Sequence, residues 1–261
     1  VAISLGYLLA SEDISSNVDK KIFLGELSLN GDVLPIRGVL PLVMLAKSEG
    51  FEELYVPKEN AKEAALIEGI DIYGVSTLKE LITHLTDKNV SIIKEPITPI
   101  EDINDESSVD LADIKGQESA KRGLEIAASG GHNIAMYGPP GTGKTMLARA
   151  FRSLLPSLSK NEALEITSIY SIAGNLKTPV ITKAPFRSPH HTSSYVSVIG
   201  GGATPKPGEV TLSHRGVLFL DEFPEFDKRV IESLRQPLED NFVSISRAKG
   251  TAIFPSNFIL I

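Results

Sequence analysis

One short segment combines residue types and a spacing that suit phosphate binding. Its residues follow the pattern G-x-x-x-x-G-K-[ST] and are Gly138, Pro139, Pro140, Gly141, Thr142, Gly143, Lys144 and Thr145. In such a loop the backbone N–H groups surround phosphate oxygens, and the N-terminus of the following helix adds partial positive charge. We therefore predict that the loop binds ATP, with Lys144 at the β and γ phosphates and the Thr145 hydroxyl as a ligand of Mg²⁺.

An acidic pair follows the apolar run "VLFL" further along the chain. An acid at the carboxyl end of a buried parallel strand, beside such a loop, can hold the Mg²⁺ shell, and we assign this role to Asp221. Glu222 is then placed to polarise a water molecule for attack on the γ phosphate. Glu222 and Lys144 are therefore the predicted catalytic residues. The adjacent Asp–Glu pair favours hydrolysis, because a kinase needs a separate acceptor site.

The elements around these residues are predicted to form an α/β unit with buried strands. "NIAMY", "GVLFLDE" and "FILI" have the nearly continuous apolar character of parallel strands that are covered on both faces. "GQESAKRGLEIAASGG" is a predicted helix that ends at glycines, and Leu147, Ala150 and Phe151 share one face of the helix after the loop. "FDKRVIESLRQPLED" is a predicted helix with Asp227 as its N-cap, which Pro237 must end or kink.

Composition divides the chain into three parts. Residues 1–87 alternate strands ("IFLGEL", "EELYVP") with helices ("GVLPLVMLAKSEG", "TLKELITHL"), which predicts a small α/β domain. In these helices Gly50 is a predicted C-terminal cap, and Thr77 and Glu80 have the spacing of a capping box. Residues 88–110 hold prolines and an acidic run and are predicted to be a linker. Residues 111–261 form the second domain.

The overall composition is that of a soluble globular protein. Apolar residues make up 42% of the 261 residues and charged residues 23%, and the net charge is -7. No apolar run approaches the ~20 residues that span a bilayer, and a signal peptide is missing, so we expect a cytoplasmic protein without a membrane partner. The chain begins at Val1 within an apolar run and stops at "FILI", and we expect it to be a fragment of a longer protein.

These motifs, together with "PFRSPHHTSSYVSVIGGG" and "PKPGEVTLSHRGVLFLDEFPEF", resemble the magnesium-chelatase-like AAA+ ATPases of bacteria, the YifB/ComM group. The resemblance implies an AAA+ α/β/α fold with a parallel central sheet and ring-shaped self-assembly, usually into hexamers. It also implies two insertions, one near residues 188 to 214 and one at the hairpin "FVSISRAKGTAIF", which turns at residues 248 to 250. Competence-type members of the group act as DNA helicases that promote branch migration.

The same resemblance places the sensor Asn, the trans-acting arginines and the helical lid beyond Ile261. The AAA+ domain is therefore expected to be truncated at its C-terminal side. A chain that stops there is expected to bind nucleotide but to hydrolyse it poorly, because such an arginine contributes roughly 10³–10⁵ in rate in other triphosphatases.

"GELSLNGDVLPIRGVLPLVMLA" resembles a second family, the proteolytic domain of Lon, in which a Ser–Lys pair cuts peptides. The Lon-type Lys lies in the helix after "LPIxG", but here this helix begins Val39-Leu40-Pro41-Leu42, and Lys47 comes a full turn too late. The matching Ser is expected before Val1. Because an amine must be the base of that pair, the first domain is predicted to be a Lon-protease-like α/β domain without peptidase activity.

Two further groups of residues have open roles. His190 and His191 are adjacent, but Zn²⁺ needs three or four ligands at a fixed spacing and the chain has no Cys, so a structural role is favoured over a metal site. The basic residues near the two insertions are Lys206, Arg215, Arg247 and Lys249. They are either solvated surface charges or, if the insertions line the channel of a ring, contacts to a DNA backbone.

Three functions of different class remain open. The first is a ring ATPase that remodels DNA, with Lys249, Lys206 and Arg247 as the candidate DNA contacts. The second is a chelatase-type motor that remodels a partner protein, which needs a partner subunit. The third is an ATP-dependent peptidase, against which the missing Lys counts. The first is favoured, with ATP and Mg²⁺ as cofactors and with self-assembly and DNA as the predicted interactions.

Overall fold

The computed structural model describes residues 1–87, 90–100, 109–202, 205–247 and 250–261, and of Arg247 only the backbone. Residues 1–100 together with 170–180 form one compact unit, and residues 101–169 together with 181–261 form the other. We call them unit 1 and unit 2. The predicted domain limits at 87 and 111 stay a prediction, and most of the acidic run of the predicted linker lies outside the described residues.

Unit 1 alternates short strands and helices. In chain order these are α1 (Ala2–Ala10), β1 (Lys21–Phe23), β2 (Glu26–Leu27), β3 (Val33–Leu34), α2 (Val39–Ser48), β4 (Glu53–Pro57), α3 (Ala61–Ala64), β5 (Asp71–Val75) and α4 (Leu78–Thr86). Strands β1, β4 and β5 form a parallel sheet in the order β1-β4-β5, and β2 pairs with β3 as an antiparallel hairpin. Unit 1 is therefore an α/β structure, as its sequence pattern predicts.

The predicted helix ends in unit 1 are confirmed by their hydrogen bonds. The backbone N–H of Gly50 donates to the Lys47 carbonyl and that of Phe51 donates to the Ala46 carbonyl, which is the Schellman arrangement at the end of α2. At the start of α4 the Glu80 N–H donates to the Thr77 hydroxyl. The Glu80 carboxylate accepts from the N–H of Ser76, one residue earlier than a capping box requires.

Unit 2 contains the predicted site. Its helices are α5 (Glu118–Gly130), α6 (Lys144–Phe151), α7 (Lys160–Ala173), whose last residues belong to unit 1, α8 (Tyr195–Ile199), α9 (Glu209–Leu212), α10 (Lys228–Ser233) and α11 (Arg235–Asp240). Its strands are β6 (Phe186–Arg187), β7 (Gly200–Gly201), β8 (Lys206–Pro207), β9 (Val217–Leu218), β10 (Phe242–Arg247), β11 (Gly250–Pro255) and β12 (Ile259–Leu260). No helix in the described ranges is both long and apolar enough to cross a bilayer.

A three-stranded parallel sheet in the order β12-β9-β6 lies at the centre of unit 2. Strand β9 belongs to the predicted strand "GVLFLDE", and its residues Val217 and Leu218 have no exposed surface. The two residues that follow, Phe219 and Leu220, are also buried, so this segment is covered on both faces as predicted. The α/β fold class with a parallel central sheet is thus confirmed.

The segment "NIAMY" differs from its prediction as a buried strand. The structure assigns no strand there, and Tyr137 is fully exposed, although Ile134 and Met136 pack against the core. The Ile134 N–H donates to the Leu260 carbonyl, but the Leu260 N–H donates to the Asn133 side chain. Because a side-chain oxygen takes the place of a backbone acceptor, the ladder beside β12 does not continue and the segment stays extended without becoming a strand.

The predicted helix "FDKRVIESLRQPLED" is divided into two short helices. The Asp227 carboxylate caps α10 by accepting from the Arg229 N–H at 2.8 Å, as predicted. Helix α10 ends at Ser233, which lies four residues before Pro237, and α11 begins at Arg235. A proline clashes with the carbonyl four residues earlier and offers no N–H, which explains the break at this position.

Two antiparallel hairpins extend from the core of unit 2. Strands β10 and β11 pair from Phe242 with Pro255 to Arg247 with Gly250, which confirms the predicted hairpin, while its connecting residues lie outside the described ranges. Strands β7 and β8 form a smaller hairpin. A Cβ atom on Gly200 would come within 2.7 Å of the Ile245 side chain and 2.6 Å of the Lys206 carbonyl. The smaller hairpin therefore packs closely against the Ile245 side chain of β10.

Candidate functional site

The glycine-rich loop (residues 138–145) leads from the extended segment after Asn133 into helix α6. Gly143 is the N-cap of α6, with a φ of 83°, and Gly141 has a φ of 77°. A Cβ atom added at either glycine would meet no heavy atom within 4 Å, so the backbone here borders open space. A loop of this kind, with its backbone accessible at the N-terminus of a helix, suits the binding of phosphate groups.

Thr145 and Asp221 meet in the folded chain, although they are 76 residues apart in sequence. The Thr145 hydroxyl donates to Asp221 Oδ2 at 3.0 Å. Thr145 lies in the first turn of α6, and Asp221 follows the buried segment that continues β9. A hydroxyl and a carboxylate are oxygen ligands of the kind that Mg²⁺ takes together with phosphate oxygens. The two residues predicted to hold Mg²⁺ are thus side by side.

The Lys144 ammonium group lies over the glycine-rich loop. Its Nζ donates to the carbonyls of Gly138 at 2.8 Å and Pro139 at 3.0 Å. The Thr142 hydroxyl donates to the same Pro139 carbonyl at 2.9 Å. The positive charge of Lys144 is therefore held at the mouth of the loop by neutral carbonyl groups, where a phosphate oxygen is a stronger partner than a carbonyl oxygen.

Glu222 has an unusual backbone and an exposed side chain. Its φ is 57°, in the left-handed region that non-glycine residues rarely adopt, and its N–H donates to Asp221 Oδ1 at 3.1 Å. The side chain is 65% exposed, and Oε2 lies 3.1 Å from Nδ1 of His191. Sequence reasoning assigned no partner to Glu222 and left His191 without a role, because nothing in the spacing of the two residues indicates a contact.

The rings of the two adjacent histidines lie against each other in a tilted arrangement. Their ring centroids are 4.1 Å apart, and the His190 Nδ1 is within 2.9 Å of the Thr192 hydroxyl. The His191 ring also meets the edge of the buried Phe226 ring at 6.4 Å between centroids. Within the described ranges, no three His, Asp or Glu side chains are grouped closely enough to hold a metal ion.

A network of polar and charged residues lies near the start of β9, whereas Asp221 and Glu222 follow its end. His214 is buried; its Nδ1 accepts from the Asn257 N–H at 3.0 Å, and its Nε2 lies 3.1 Å from Glu165 Oε2. Because Nδ1 is an acceptor, the proton of the neutral ring is on Nε2 and faces Glu165. Arg215 Nε lies 3.2 Å from the same Glu165 carboxylate, and Arg215 Nη1 lies 3.3 Å from Glu162. This network joins α7 to the turn that precedes β9.

Burial and charge shift the pKa values in this network in a consistent way. Burial lowers the pKa of His214, although Glu165 opposes the shift. Burial raises the pKa of Glu165, but the hydrogen bond of His214 and the hydrogen bond and charge of Arg215 outweigh this, so that the pKa lies below its usual value. His214 is therefore held neutral beside an ionised carboxylate.

The basic residues considered as DNA contacts fall into three groups. Lys206 is exposed on β8, in the hairpin that packs against Ile245 of β10. Arg247 is the last residue of β10, and Lys249 lies outside the described residues. Arg215, which was considered as a basic residue near the insertions, is instead paired with Glu162 and Glu165. Its charge is compensated within unit 2, so we exclude Arg215 from the candidate DNA contacts.

In unit 1, Leu40 of the helix in which the Lon-type Lys is expected is part of the core. Leu40 has no exposed surface, and its N–H donates to the buried Glu63 carboxylate at 3.0 Å. That carboxylate also accepts from the Ser171 hydroxyl and from the Asn60 amide. Lys47 lies in the last turn of α2, seven residues after Leu40. Leu40 and Leu42 cannot supply the amine of a Ser–Lys pair, and the lack of peptidase activity stays a prediction.

Two family profiles match this chain. The profile described as "Magnesium chelatase, subunit ChlI" matches residues 110–261, which is more than half of the chain. The profile described as "Subunit ChlI of Mg-chelatase" matches residues 1–60.

Similar proteins are found among both curated sequences and solved structures. The competence protein ComM of Haemophilus influenzae is 41% identical over 266 residues, which is 99% of this chain and 52% of that protein. The uncharacterized protein YifB of Escherichia coli is 40% identical over 261 residues, 99% of this chain and 51% of that protein. The chain therefore spans about half the length of these relatives. A complex of the magnesium chelatase subunits BchI and BchD is 26% identical over 57% of this chain and 52% of that chain, with a TM-score of 0.46.

Proposed function

The chain belongs to the magnesium chelatase subunit ChlI family, and from this premise we propose that it is the ATP-hydrolysing part of a ring-forming AAA+ motor. The resemblance to the YifB/ComM group, inferred from the motifs, is confirmed by the family profile and by the identity to ComM and YifB. Family membership supports an AAA+ motor and the use of nucleotide and Mg²⁺ in general. Hydrolysis by the particular residues of this chain is our proposal.

The observation that carries the proposal is the contact between Thr145 and Asp221. It joins the glycine-rich loop to the carboxyl end of the β9 segment, and its oxygen atoms fit Mg²⁺. Bound there, Mg²⁺ would neutralise charge that develops on the phosphate oxygens. Lys144 and the backbone N–H groups of the loop would hold the β and γ phosphates, and Glu222 would accept a proton from the attacking water.

Two substitutions in the full-length protein test this assignment. Lys144→Ala is expected to abolish ATP binding, because the phosphate charge loses its partner. Glu222→Gln is expected to keep ATP binding and to lower turnover by at least about 100-fold, because only the proton acceptor is lost. Binding of a fluorescent ATP analogue and steady-state phosphate release measure the two effects separately.

The matched control for these substitutions is Lys115→Ala, at an exposed lysine of unit 2 outside the loop. It is expected to bind and hydrolyse ATP as the wild type does. A Glu222→Gln variant with wild-type turnover would show that another group activates the water.

We further propose that the motor remodels DNA. The exposed Lys206 and the end of β10 belong to two hairpins that pack together through Gly200 and Ile245. If the hairpins line a ring, a few basic residues from each subunit form a circle of positive charge, which can bind phosphates despite the net charge of -7. The similarity to a competence protein supports DNA as the moved substrate.

Lys249, which precedes β11 in the sequence, gives the sharpest test of DNA binding. Lys249→Glu in the full-length protein is expected to weaken binding of a labelled oligonucleotide strongly and to reduce the slope of log affinity against log salt by about 0.7–0.9 for each lost phosphate contact. Fluorescence anisotropy at several salt concentrations measures both. Lys115→Glu, with the same charge change, is the control, and unchanged affinity and slope for Lys249→Glu would remove the hairpin from the DNA path.

The second candidate is a chelatase-type motor that remodels a partner protein. It is favoured by the descriptions of the two profiles, both of which refer to a magnesium chelatase subunit. The ATPase rate of the full-length protein, measured with and without single-stranded, duplex and branched DNA, separates the candidates. Stimulation by DNA supports the first, and a rate indifferent to all three forms supports the second.

A further inference from the structure

His191 is located beside Glu222, the predicted proton acceptor. Strands β6 and β9 are parallel, so their carboxyl ends lie at the same edge of the sheet. The pairing ends with the Phe219 N–H donating to the Arg187 carbonyl at 2.8 Å. Beyond this edge, the segment after β6 leads to His191 and the segment after β9 leads to Glu222. The Nδ1 atom of His191 lies 3.1 Å from Oε2 of Glu222.

The segment that contains His191 is fixed by contacts before and after this residue. Arg187 forms a two-bond ion pair with Glu209, at 2.5 and 2.7 Å. After it, the Ser193 N–H donates to the His190 carbonyl at 2.8 Å and closes a turn around the two histidines. The His190 ring, engaged by Thr192, forms one wall for His191, and Phe226 forms another. The imidazole therefore has a defined place.

Glu222, in contrast, is exposed and has several rotatable bonds. Its side chain is 65% exposed, whereas that of His191 is 27% exposed. An exposed glutamate samples many rotamers, and a catalytic base works efficiently only in the orientation that reaches its water. A contact with an imidazole whose position is fixed restricts Glu222 to few of these rotamers before the substrate binds. The buried Phe226 also follows directly after the short 3₁₀ helix Phe223–Glu225 that begins beside Glu222, so the ring packs against the same element.

We propose that His191 is a positioning residue that holds the Glu222 carboxylate in its working orientation through imidazole Nδ1. This inference rests on the proposed role of Glu222 in ATP hydrolysis. Within the described part of the chain, His191 contacts Glu222, His190 and Phe226, none of which belongs to the glycine-rich loop, so its substitution should change turnover and leave nucleotide affinity in place.

The test uses three substitutions in the full-length protein. His191→Ala is expected to lower kcat for ATP hydrolysis by about tenfold, with KM changed less than about twofold, because only the orientation of the base is lost. His191→Asn places an amide N–H near the former Nδ1 and is expected to restore most of the rate. His191→Gln places its amide near the former Nε2 and is expected to behave like Ala. His132→Ala, at an exposed histidine of unit 2, is the control.

A second measurement needs no turnover. Hydrogen exchange at the imidazole C2 position, followed by mass spectrometry on the nucleotide-free protein, reports the surroundings of each histidine. Glu222→Gln is expected to change the exchange rate of His191 and to leave that of His132 unchanged. Equal His191 rates in both proteins would show that the contact is absent and would overturn the inference.

The outcomes separate this inference from the proposed function. If the wild-type protein does not hydrolyse ATP, the proposed function fails while the exchange measurement still tests the contact. If the wild type is active and His191→Ala has the same kcat, or if His191→Gln restores the rate as well as Asn does, the positioning role is wrong. A loss of nucleotide binding in His191→Ala would assign His191 to binding or folding instead.

Discussion

His214 is an imidazole that burial and the hydrogen bond from Asn257 hold in the neutral form, against the opposing effect of Glu165. Its Nδ1 accepts from the Asn257 N–H, and burial lowers its pKa below the usual value of 6.5. A protonated ring would lose the Asn257 bond, because Nδ1 could then no longer accept. The network that joins α7 to the turn before β9 thus depends on a ring without charge.

The pH dependence of stability follows from this lowered pKa. As the pH falls below about 6.5, the unfolded chain takes up the proton before the folded chain does, so the free energy of unfolding decreases. This contribution is fully present above 6.5 and is lost as the pH falls through the folded pKa. We expect a slope of at most about 1.4 kcal/mol per pH unit in this window, and His214→Gln is expected to lack it.

Urea unfolding of the full-length protein at several values between pH 7.5 and 5 measures this difference. Gln keeps an N–H that can face Glu165, so the charge network is retained. His132→Gln, at the exposed histidine, is the matched control and is expected to keep the wild-type profile. Parallel profiles for His214→Gln and the wild type would contradict the neutral assignment of His214.

At the scale of elements, the two hairpins of unit 2 depend on Gly200. Its φ of 112° is a conformation that suits glycine, and a Cβ there would lie 2.6 Å from the Lys206 carbonyl and 2.7 Å from Ile245. Gly200→Ala is therefore expected to destabilise unit 2 by about 3 kcal/mol, since backbone strain and overpacking add. Thermal unfolding of the full-length protein measures the loss.

Gly131→Ala separates the two causes. Gly131 also has a positive φ, of 62°, but a Cβ there would meet no atom within 4 Å. We expect it to cost only about 1 kcal/mol, the strain of a left-handed alanine. If both variants lose the same stability, close packing between the hairpins makes no contribution.

Interactions between residues close in sequence were enough to predict most helices and strands. The features that were not predicted depend on contacts between residues far apart in sequence. The caps at Thr77 and Asp227 and the break before Pro237 follow from hydrogen bonds and clashes within a few residues, which a sequence reveals directly. The prediction of a strand at "NIAMY" was wrong, because the Asn133 side chain accepts a hydrogen bond from Leu260 in β12, which is far along the chain. The predicted proximity of Asp221 to the glycine-rich loop came from the rule for parallel strands, whereas the contact of His191 with Glu222 has no local signal.

At the scale of the whole molecule, the chain combines a Lon-like resemblance with a proposed nucleotide site. The full-length protein is expected not to cleave casein or model peptides under any nucleotide condition, because Leu40 and Leu42, in the helix where the Lon-type Lys is expected, cannot supply the amine that the reaction needs. Release of labelled peptide measures this, with an active Lon-type protease as the positive control. Cleavage that survives Lys144→Ala and is blocked by serine reagents would restore the peptidase hypothesis.

The separation of Thr145 from Asp221 also has a consequence for folding kinetics. The two residues are 76 positions apart, and the bond between Asn133 and Leu260 spans 127 positions. Contacts between distant residues form slowly, because the entropy of closing a long loop is lost before any contact stabilises it. During synthesis β9 leaves the ribosome before its neighbour β12, so one edge of β9 stays unpaired until Ile259 and Leu260 emerge. The nascent chain therefore exposes an apolar strand edge for that interval, which is the stage at which we expect it to need protection from aggregation.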